Sequence, residues 1–333
     1  MPKYQSFLCH IKNSYYNAVK MPKHPAAELI ARYRRQRPLR GGSLILTIFG
    51  DSIAPRGGSI ALGSLIALAE PFGLNERLVR TAITRLANDD WLVGRRVGKV
   101  SEYHLSKNGL ERFAEATRRI YNKPHGRWSG RWTLVVLPSL RAVERKAARA
   151  ELIWLGFGEF STGVFAHPEI EPQSLDLQRR PGGLLSRALV FDANLADAAA
   201  SQQLVELGWD LEELGMHYQQ FVKRFERVAA KIRGAGRVDP QAGFVVRTLL
   251  IHEYRRLHLR DPLLPARLLR VDWPGTQAAE LCRNIYGRVF APSELHLSNV
   301  AAQLDGPLPA PDSSVMQRFG GIKLPWSRIG ARL

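Results

Sequence analysis

The chain has 333 residues, 45% of them hydrophobic and 23% charged. That is enough for two or three cored domains, and it excludes the disordered, collagen-like and disulfide-rich classes. Its 48 Lys and Arg against 30 Asp and Glu leave a net charge of +18, so a polyanion, nucleic acid first, is the expected partner. Cys9 and Cys282 stand far apart without a Cys-x-x-Cys spacing, which gives neither a disulfide framework nor a zinc knuckle and suits a reducing compartment. No apolar run approaches about 18 residues, and the short apolar stretch at residues 7–9 is no signal-peptide core, so a cytoplasmic location is expected.

The charge is uneven. Residues 1–123 hold 21 Lys and Arg against 9 Asp and Glu, an excess of 12 out of the total 18, which places polyanion binding in the first third. Residues 1–40 show no sustained periodicity but carry Pro2, Pro22, Pro25 and Pro38 and the basic run Arg32, Arg34, Arg35, Arg37, Arg40. They read as a loosely ordered basic arm, or as a solvated tail, or as an over-long start with Met21 as the true initiator.

From Ser43 the pattern becomes helical. Leu44, Ile45, Ile48 and Phe49 give one apolar face closed by Gly50, and Leu62, Leu65, Ile66, Leu68 and Ala69 give a second, stopped by Pro71 and Gly73. Asn75 can cap a third helix, in which Leu78, Val79, Ala82, Ile83 and Leu86 share the inner side. The outer side is Arg77, Arg80, Thr81, Thr84, Arg85 and Asn88. Those are base-reading residue types: Arg meets guanine bidentately, while Thr and Asn reach other base edges or phosphates. Residues 91–93 and 101–105 then read as strands flanking a glycine-bearing turn with Arg95, Arg96 and Lys99, suited to backbone phosphates. Helix, helix, basic helix and basic hairpin is the order of a winged helix-turn-helix.

The run from Leu46 to Gly50, Pro55-Arg56-Gly57-Gly58, Leu62-Gly63-Ser64-Leu65, Val79-Arg80-Thr81-Ala82 and Gly130-Arg131-Trp132-Thr133-Leu134 resemble the PaaX family, repressors of phenylacetate catabolism. His252-Glu253-Tyr254-Arg255-Arg256, Leu259-Arg260-Asp261-Pro262, Leu264-Pro265 and Trp273-Pro274-Gly275 resemble that family's most distinctive block. The resemblance spans about residues 41–300. It implies an α+β chain: a winged helix over 41–123, a central ferredoxin-like, Cas2-like domain over 124–200, a helical C-terminal domain over 201–303, and a tail over 304–333. It further implies a homodimeric repressor of an aromatic-acid operon, bound to a palindromic double-stranded DNA operator and released by an aryl-coenzyme A thioester, with no cofactor.

The residues themselves agree for the middle, where strand 132–137, helix 141–155, a β-rich stretch 158–167 and strand 188–191 give β-α-β-β. After Asp192 helices follow, near 216–232 and 244–259, the latter ended by Asp261-Pro262.

Enzyme-like signals are weak. Gly156-x-Gly158 has Ser161 where a dinucleotide fingerprint needs a small residue opening a helix, and His252-Glu253-x-x-Arg256 lacks the second zinc-ligand His. The Cas2 likeness brings a metal-dependent nuclease as the rival reading, but residues 137–139 supply no Asp at the end of the first central strand to hold a divalent cation. The other rival is a nonspecific architectural DNA- or RNA-binding protein. Arg255, Arg256 and Arg260 leave two readings open: with Tyr254 and Trp273 they hold the phosphates and ring of an acyl-coenzyme A, or they pair Glu253, Asp261 and Asp272 and only lock the domain.

Overall fold

The computed structural model describes residues 25–36, 41–121, 128–138, 140–170 and 172–322. Cys9, Met21, Pro2, Pro22, Pro38, Arg37, Arg40 and residues 323–333 lie outside them.

The basic arm is corrected for residues 25–36. Leu29 and Tyr33, four apart, share one side of helix α1 (Ala27–Arg35) and are buried. Tyr33 packs edge-on against Phe72 at 6.3 Å and His252 at 5.8 Å. The last turn of α1 carries Arg32, Arg34 and Arg35, where cations complement the exposed carbonyl ends of the helix.

Helix α2 (Gly41–Ile48) does not stop at Gly50. The chain runs on through a π turn over Phe49–Ile53 and a 3-10 turn over Ala54–Arg56. Gly50 serves close approach instead of termination, because a Cβ there would lie 2.6 Å from the Phe113 ring. Strand β1 (Ser59–Ala61) leads to helix α3 (Leu62–Ala69), and Gly73 turns the chain at φ 84°, a conformation glycine adopts without steric cost. Helix α4 (Glu76–Asn88) follows, then strands β2 (Leu92–Val97) and β3 (Val100–Leu105) and helix α5 (Lys107–Tyr121). The three strands form one antiparallel sheet in the order β1-β3-β2.

The central part contains β4 (Arg131–Val136), α6 (Ala142–Trp154), β5 (Gly158–Ser161), β6 (Val164–His167), the short α7 (Asp176–Arg179) and β7 (Leu189–Asn194). The expected β-α-β-β order is corrected. The β-rich stretch folds back at Gly163, φ 76°, into two strands, giving β-α-β-β-α-β and an antiparallel sheet ordered β5-β6-β4-β7. Val135, Ala148, Leu152 and Phe165 fill one face; Trp132, Ala166, Leu204 and Val205 fill the other.

The remainder is helical: α8 (Ala198–Gly208), α9 (Leu211–Gly234), α10 (Pro240–His258) and α11 (Pro274–Val300). Asp197, Asp210 and Asp239 cap the first three by accepting from backbone amides. Helix α11 survives an internal Pro292, and Gly243 lets α10 approach it: a Cβ there would lie 3.0 Å from the Pro292 Cβ. A two-strand ribbon, β8 (Ala302–Gln303) and β9 (Gly306–Pro307), and a final short helix α12 (Ser314–Gln317) follow.

The expected 41–123, 201–303 and 304–333 units pack on a shared core. One continuous hydrophobic cluster holds Leu44, Ile45 and Phe49 from the N-terminal part, Phe244, Leu250 and Tyr286 from the C-terminal helices, and Val315 and Phe319 from the supposed tail. The physical reason is that α10 is buried all round from Ala242 to His252 and packs against α2, which carries Leu44 and Ile45. The molecule is therefore a mixed α+β chain of helices and antiparallel sheets in which the sheet over 131–194 has cores of its own.

Candidate nucleic-acid interface

Helix α4 is fixed from one side. Asn75 accepts the Leu78 amide at 2.9 Å, and Val79, Ala82, Ile83 and Leu86 are buried. Leu78 departs from its expected place: it sits in the first turn at the edge of the apolar stripe and is 42% exposed. Arg77, Arg80, Thr81, Thr84, Arg85 and Asn88 are all exposed, at the 3-and-4 spacing that aligns them along one face. Thr81 and Thr84 donate to the carbonyls of Arg77 and Arg80, and Arg80 pairs with Glu76 one turn back. Such an exposed pair is worth only about 0.3–0.5 kcal/mol, so an anionic ligand displaces it at little cost.

The turn after α4 is locked. The Trp91 amide donates to the Leu86 carbonyl at 2.8 Å, and Ser106 donates to the Asp90 carbonyl at 2.6 Å while accepting from the Gly109 amide. Gly109 has to be glycine, since a Cβ would lie 2.3 Å from the Trp91 carbonyl oxygen. These bonds fix the hairpin and α5 against α4. The hairpin strands are longer than their sequence indicates and pair to Val97↔Val100, leaving the two-residue turn Gly98-Lys99. Gly98, at φ 59°, occupies the first turn position, where type II′ hairpins place glycine. Lys99 lies at the tip. Arg95 and Arg96 lie in β2 rather than in the loop, so they point to opposite faces of the ribbon; Arg96 donates to the Gly98 carbonyl at 3.1 Å.

Beneath this surface lies a charge cluster that sequence reasoning missed. The π turn swings Asp51 inward, where it is 2% exposed. Its carboxylate accepts from Arg247 (2.6 Å), Arg318 (2.9 Å), Tyr121 (2.6 Å) and Tyr286 (2.9 Å). Arg247 also reaches Glu294 at 2.6 Å, and Glu294 in turn pairs with Arg56. Burial alone would raise the Asp51 carboxyl, but the Arg247 and Arg318 guanidiniums and the two tyrosine hydroxyls hold it below its usual value. Burial likewise opposes the charge on Arg247, and Asp51 with its neighbours more than restores it. The only sequence signals were an aspartate just past an apolar run and an arginine inside Phe244-Val245-Val246-Arg247-Thr248-Leu249-Leu250.

The residues read as an effector site are spread over buried and exposed positions. Tyr254 is 2% exposed and stacks on His258 at 4.8 Å, and Trp273 lies edge-on to Tyr218 at 6.0 Å. Both rings face the core, because they lie on the apolar sides of α10 and of the α11 entry. Arg255 donates to Thr47 at 2.9 Å and to the Ser43 hydroxyl and carbonyl at 2.7 Å, tying α10 to α2. Arg256 is partly buried and Arg260 exposed. The expected locking partners are also redistributed: Glu253 pairs with Arg224, Asp261 accepts from Tyr218, and Asp272 pairs with Arg270. Among the described residues no three His, Cys, Asp or Glu gather as a metal-holding group, and no helix is long and apolar enough to cross a membrane.

Three family models match the chain: PaaX-like protein over residues 40–109, the PaaX protein central Cas2-like domain over 125–205, and the PaaX-like protein C-terminal domain over 209–299. The transcriptional repressor PaaX of Escherichia coli (strain K12) is 37% identical over 291 residues, which is 86% of this chain and 92% of that protein. The chain belongs to the PaaX family. A solved structure, the uncharacterized protein Rv0674 from Mycobacterium tuberculosis, is 28% identical and covers 69% of this chain and 89% of its own, with a TM-score of 0.44. The central sheet of β4 to β7 is thus the Cas2-like domain of the PaaX family, while α1 and the segment after Val300 lie outside all three matched stretches.

Proposed function

We propose that this PaaX family member is a DNA-binding transcriptional repressor that uses α2, α3, α4 and the β2–β3 hairpin as a winged helix-turn-helix. The observation that carries the reading is the outer face of α4: six polar side chains, Arg77, Arg80, Thr81, Thr84, Arg85 and Asn88, stand exposed while the opposite face is buried. A helix so fixed can lay its polar face in a major groove and read base edges, and Arg95, Arg96 and Lys99 supply charge for flanking phosphates. The relative named as a transcriptional repressor supports the same role.

In this reading a homodimer occupies a palindromic operator with half-sites spaced by a helical turn or its multiples. The family resemblance further supports an aromatic-acid (phenylacetate-type) operon and release by an aryl-coenzyme A thioester, with the partly buried Arg256 and the exposed Arg260 among the cations of its site. Release requires the effector to bind the DNA-free conformation more tightly, so DNA must weaken effector binding by the same factor.

Selection of bound sequences from a random duplex pool, with and without a panel of aryl-coenzyme A thioesters, tests the reading. One palindromic motif that outcompetes bulk DNA by about a thousandfold, lost on thioester addition, is expected. Equal affinity for all sequences would instead favour an architectural protein, and magnesium-dependent cleavage of labelled DNA a nuclease.

A further inference from the structure

Outside the proposed DNA-reading surface, a strongly charged concavity lies between α1 and α9. It is a groove of about 380 Å³ lined by Glu28, Leu29 and Arg32 from α1 and by Lys223, Arg224, Arg227 and others from α9. The convergence follows from helical spacing: 28 and 32 are one turn apart, as are 220, 223/224 and 227, so each helix aims one charged stripe at the other.

The groove is electrostatically unbalanced. Glu28 is held by Lys231 at 2.5 Å, and Glu253, at the base, is shared by Arg224 and, at 4.0 Å, Arg32. The lining sets Arg32, Lys223, Arg224 and Arg227 against Glu28, four cations against one carboxylate, and adding Lys231 and Glu253, which pair with lining groups from outside it, leaves the excess at three. Partial burial and the neighbouring Arg32 push Arg224 down to about 10, the mark of cations crowded in a poorly solvated place. The chain preceding α1 does not supply the missing charge, since residues 1–24 contain four lysines and no Asp or Glu. Leu29 and Val228 lie buried beneath the cations and close the floor of the groove.

We propose that this groove binds a small ligand that carries a diphosphate group, its phosphates on Arg32, Lys223, Arg224 and Arg227. The excess of three positive charges matches a pyrophosphate group near neutral pH, and guanidinium pairs phosphate oxygens through parallel hydrogen bonds. The volume lies within the ordinary range of small-ligand sites, about 300–1,000 Å³. A recess between two helices suits such a ligand better than a duplex, whose backbone is met by protruding features such as the hairpin. The site goes beyond the DNA-binding reading and does not depend on it.

The test is calorimetry on the full chain with inorganic pyrophosphate, ADP and adenosine. Pyrophosphate and ADP are expected to bind one to one through the shared diphosphate, and adenosine not to bind. Lys223→Gln/Arg227→Gln should weaken both at least tenfold with an unchanged melting curve, whereas Lys146→Gln, which removes an exposed charge on α6, should leave binding intact. In the unmutated chain, bound pyrophosphate should protect Lys223 from acylation as read by mass spectrometry. No saturable binding at millimolar concentration, equal weakening by Lys146→Gln, or loss of duplex DNA affinity as the sole effect of the double variant would each overturn the proposal; the last would make the groove a DNA-backbone contact.

Discussion

Asp51 shows how much one residue can hold. Its carboxylate gathers groups from α5, α10, α11 and the segment after α12, and these groups lie away from solvent, since Arg247 is fully buried and Arg318 is 4% exposed. Removing one member of such a buried set strands the others, which typically costs about 3–5 kcal/mol. Asp51→Asn is therefore expected to destabilise the protein by about that amount at pH 7, as read by urea unfolding. The pH dependence has a defined sign. Because the folded-state value of Asp51 is depressed below its ordinary 3.8, its stabilisation is fully present above about pH 4 and is lost as pH falls through the lower folded-state value. The stability gap between the parent and Asp51→Asn should thus close on acidification; a gap independent of pH between about 7 and 2 would show that the carboxylate charge is not what holds the cluster.

At the scale of elements, α4 and the hairpin make separable predictions. If Arg80 or Arg85 reads a base, replacement by Ala should cost about 1–3 kcal/mol on the specific site and relax preference at one position per half-site; uniform weakening on all DNA would assign them to phosphates instead. Removing Lys99, Arg95 or Arg96 should leave sequence preference intact and lower the log–log salt slope by about 1 for each phosphate no longer paired. Since β2 splits Arg95 and Arg96 onto opposite faces, their slopes are expected to differ, which a loop holding all three side by side would not produce. What was legible in the sequence follows the same line. The buried stripe and polar face of α4 were legible because periodicity and the Asn75 cap are local. The longer β2 and β3 were not, because glycine and arginine are weak strand formers and cross-strand pairing, not propensity, decides them. Helix α11 carries Pro292, a residue that locally disfavours a helix interior, yet the close packing of α10 at Gly243 accompanies a continuous helix there. The Asp51 cluster joins residues as far apart as 51 and 318, and no local pattern reports such a pairing.

At the scale of the whole molecule, the arrangement decides what can fold alone. Residues 41–121 contain every group proposed to touch DNA, yet Leu44, Ile45, Ile48 and Phe49 are buried in a cluster that also contains Phe244, Leu250, Tyr286 and Phe319. Arg255 from α10 bonds Ser43 and Thr47 on α2, and the Leu304 amide beyond α11 donates to Glu102 in β3. Cutting these links exposes the apolar side of α2 and leaves Asp51 without Arg247 and Arg318. Each fully exposed aliphatic or aromatic core side chain costs about 1.5–3 kcal/mol, and a few of them consume the roughly 5–15 kcal/mol that an ordinary domain has in total. A fragment of residues 41–121 is therefore expected to be largely unfolded by circular dichroism and to bind DNA no better than nonspecifically. The same reasoning covers the other end: a chain ended at Val300 loses Arg318, Val315 and Phe319 and should melt at lower temperature and lose operator affinity together. The measurement that decides is a melting and binding series on the full chain, the Val300 truncation and the 41–121 fragment. A fragment that folds cooperatively and keeps full operator affinity would show that the shared core is dispensable for DNA recognition, and that the C-terminal helices do not brace α4.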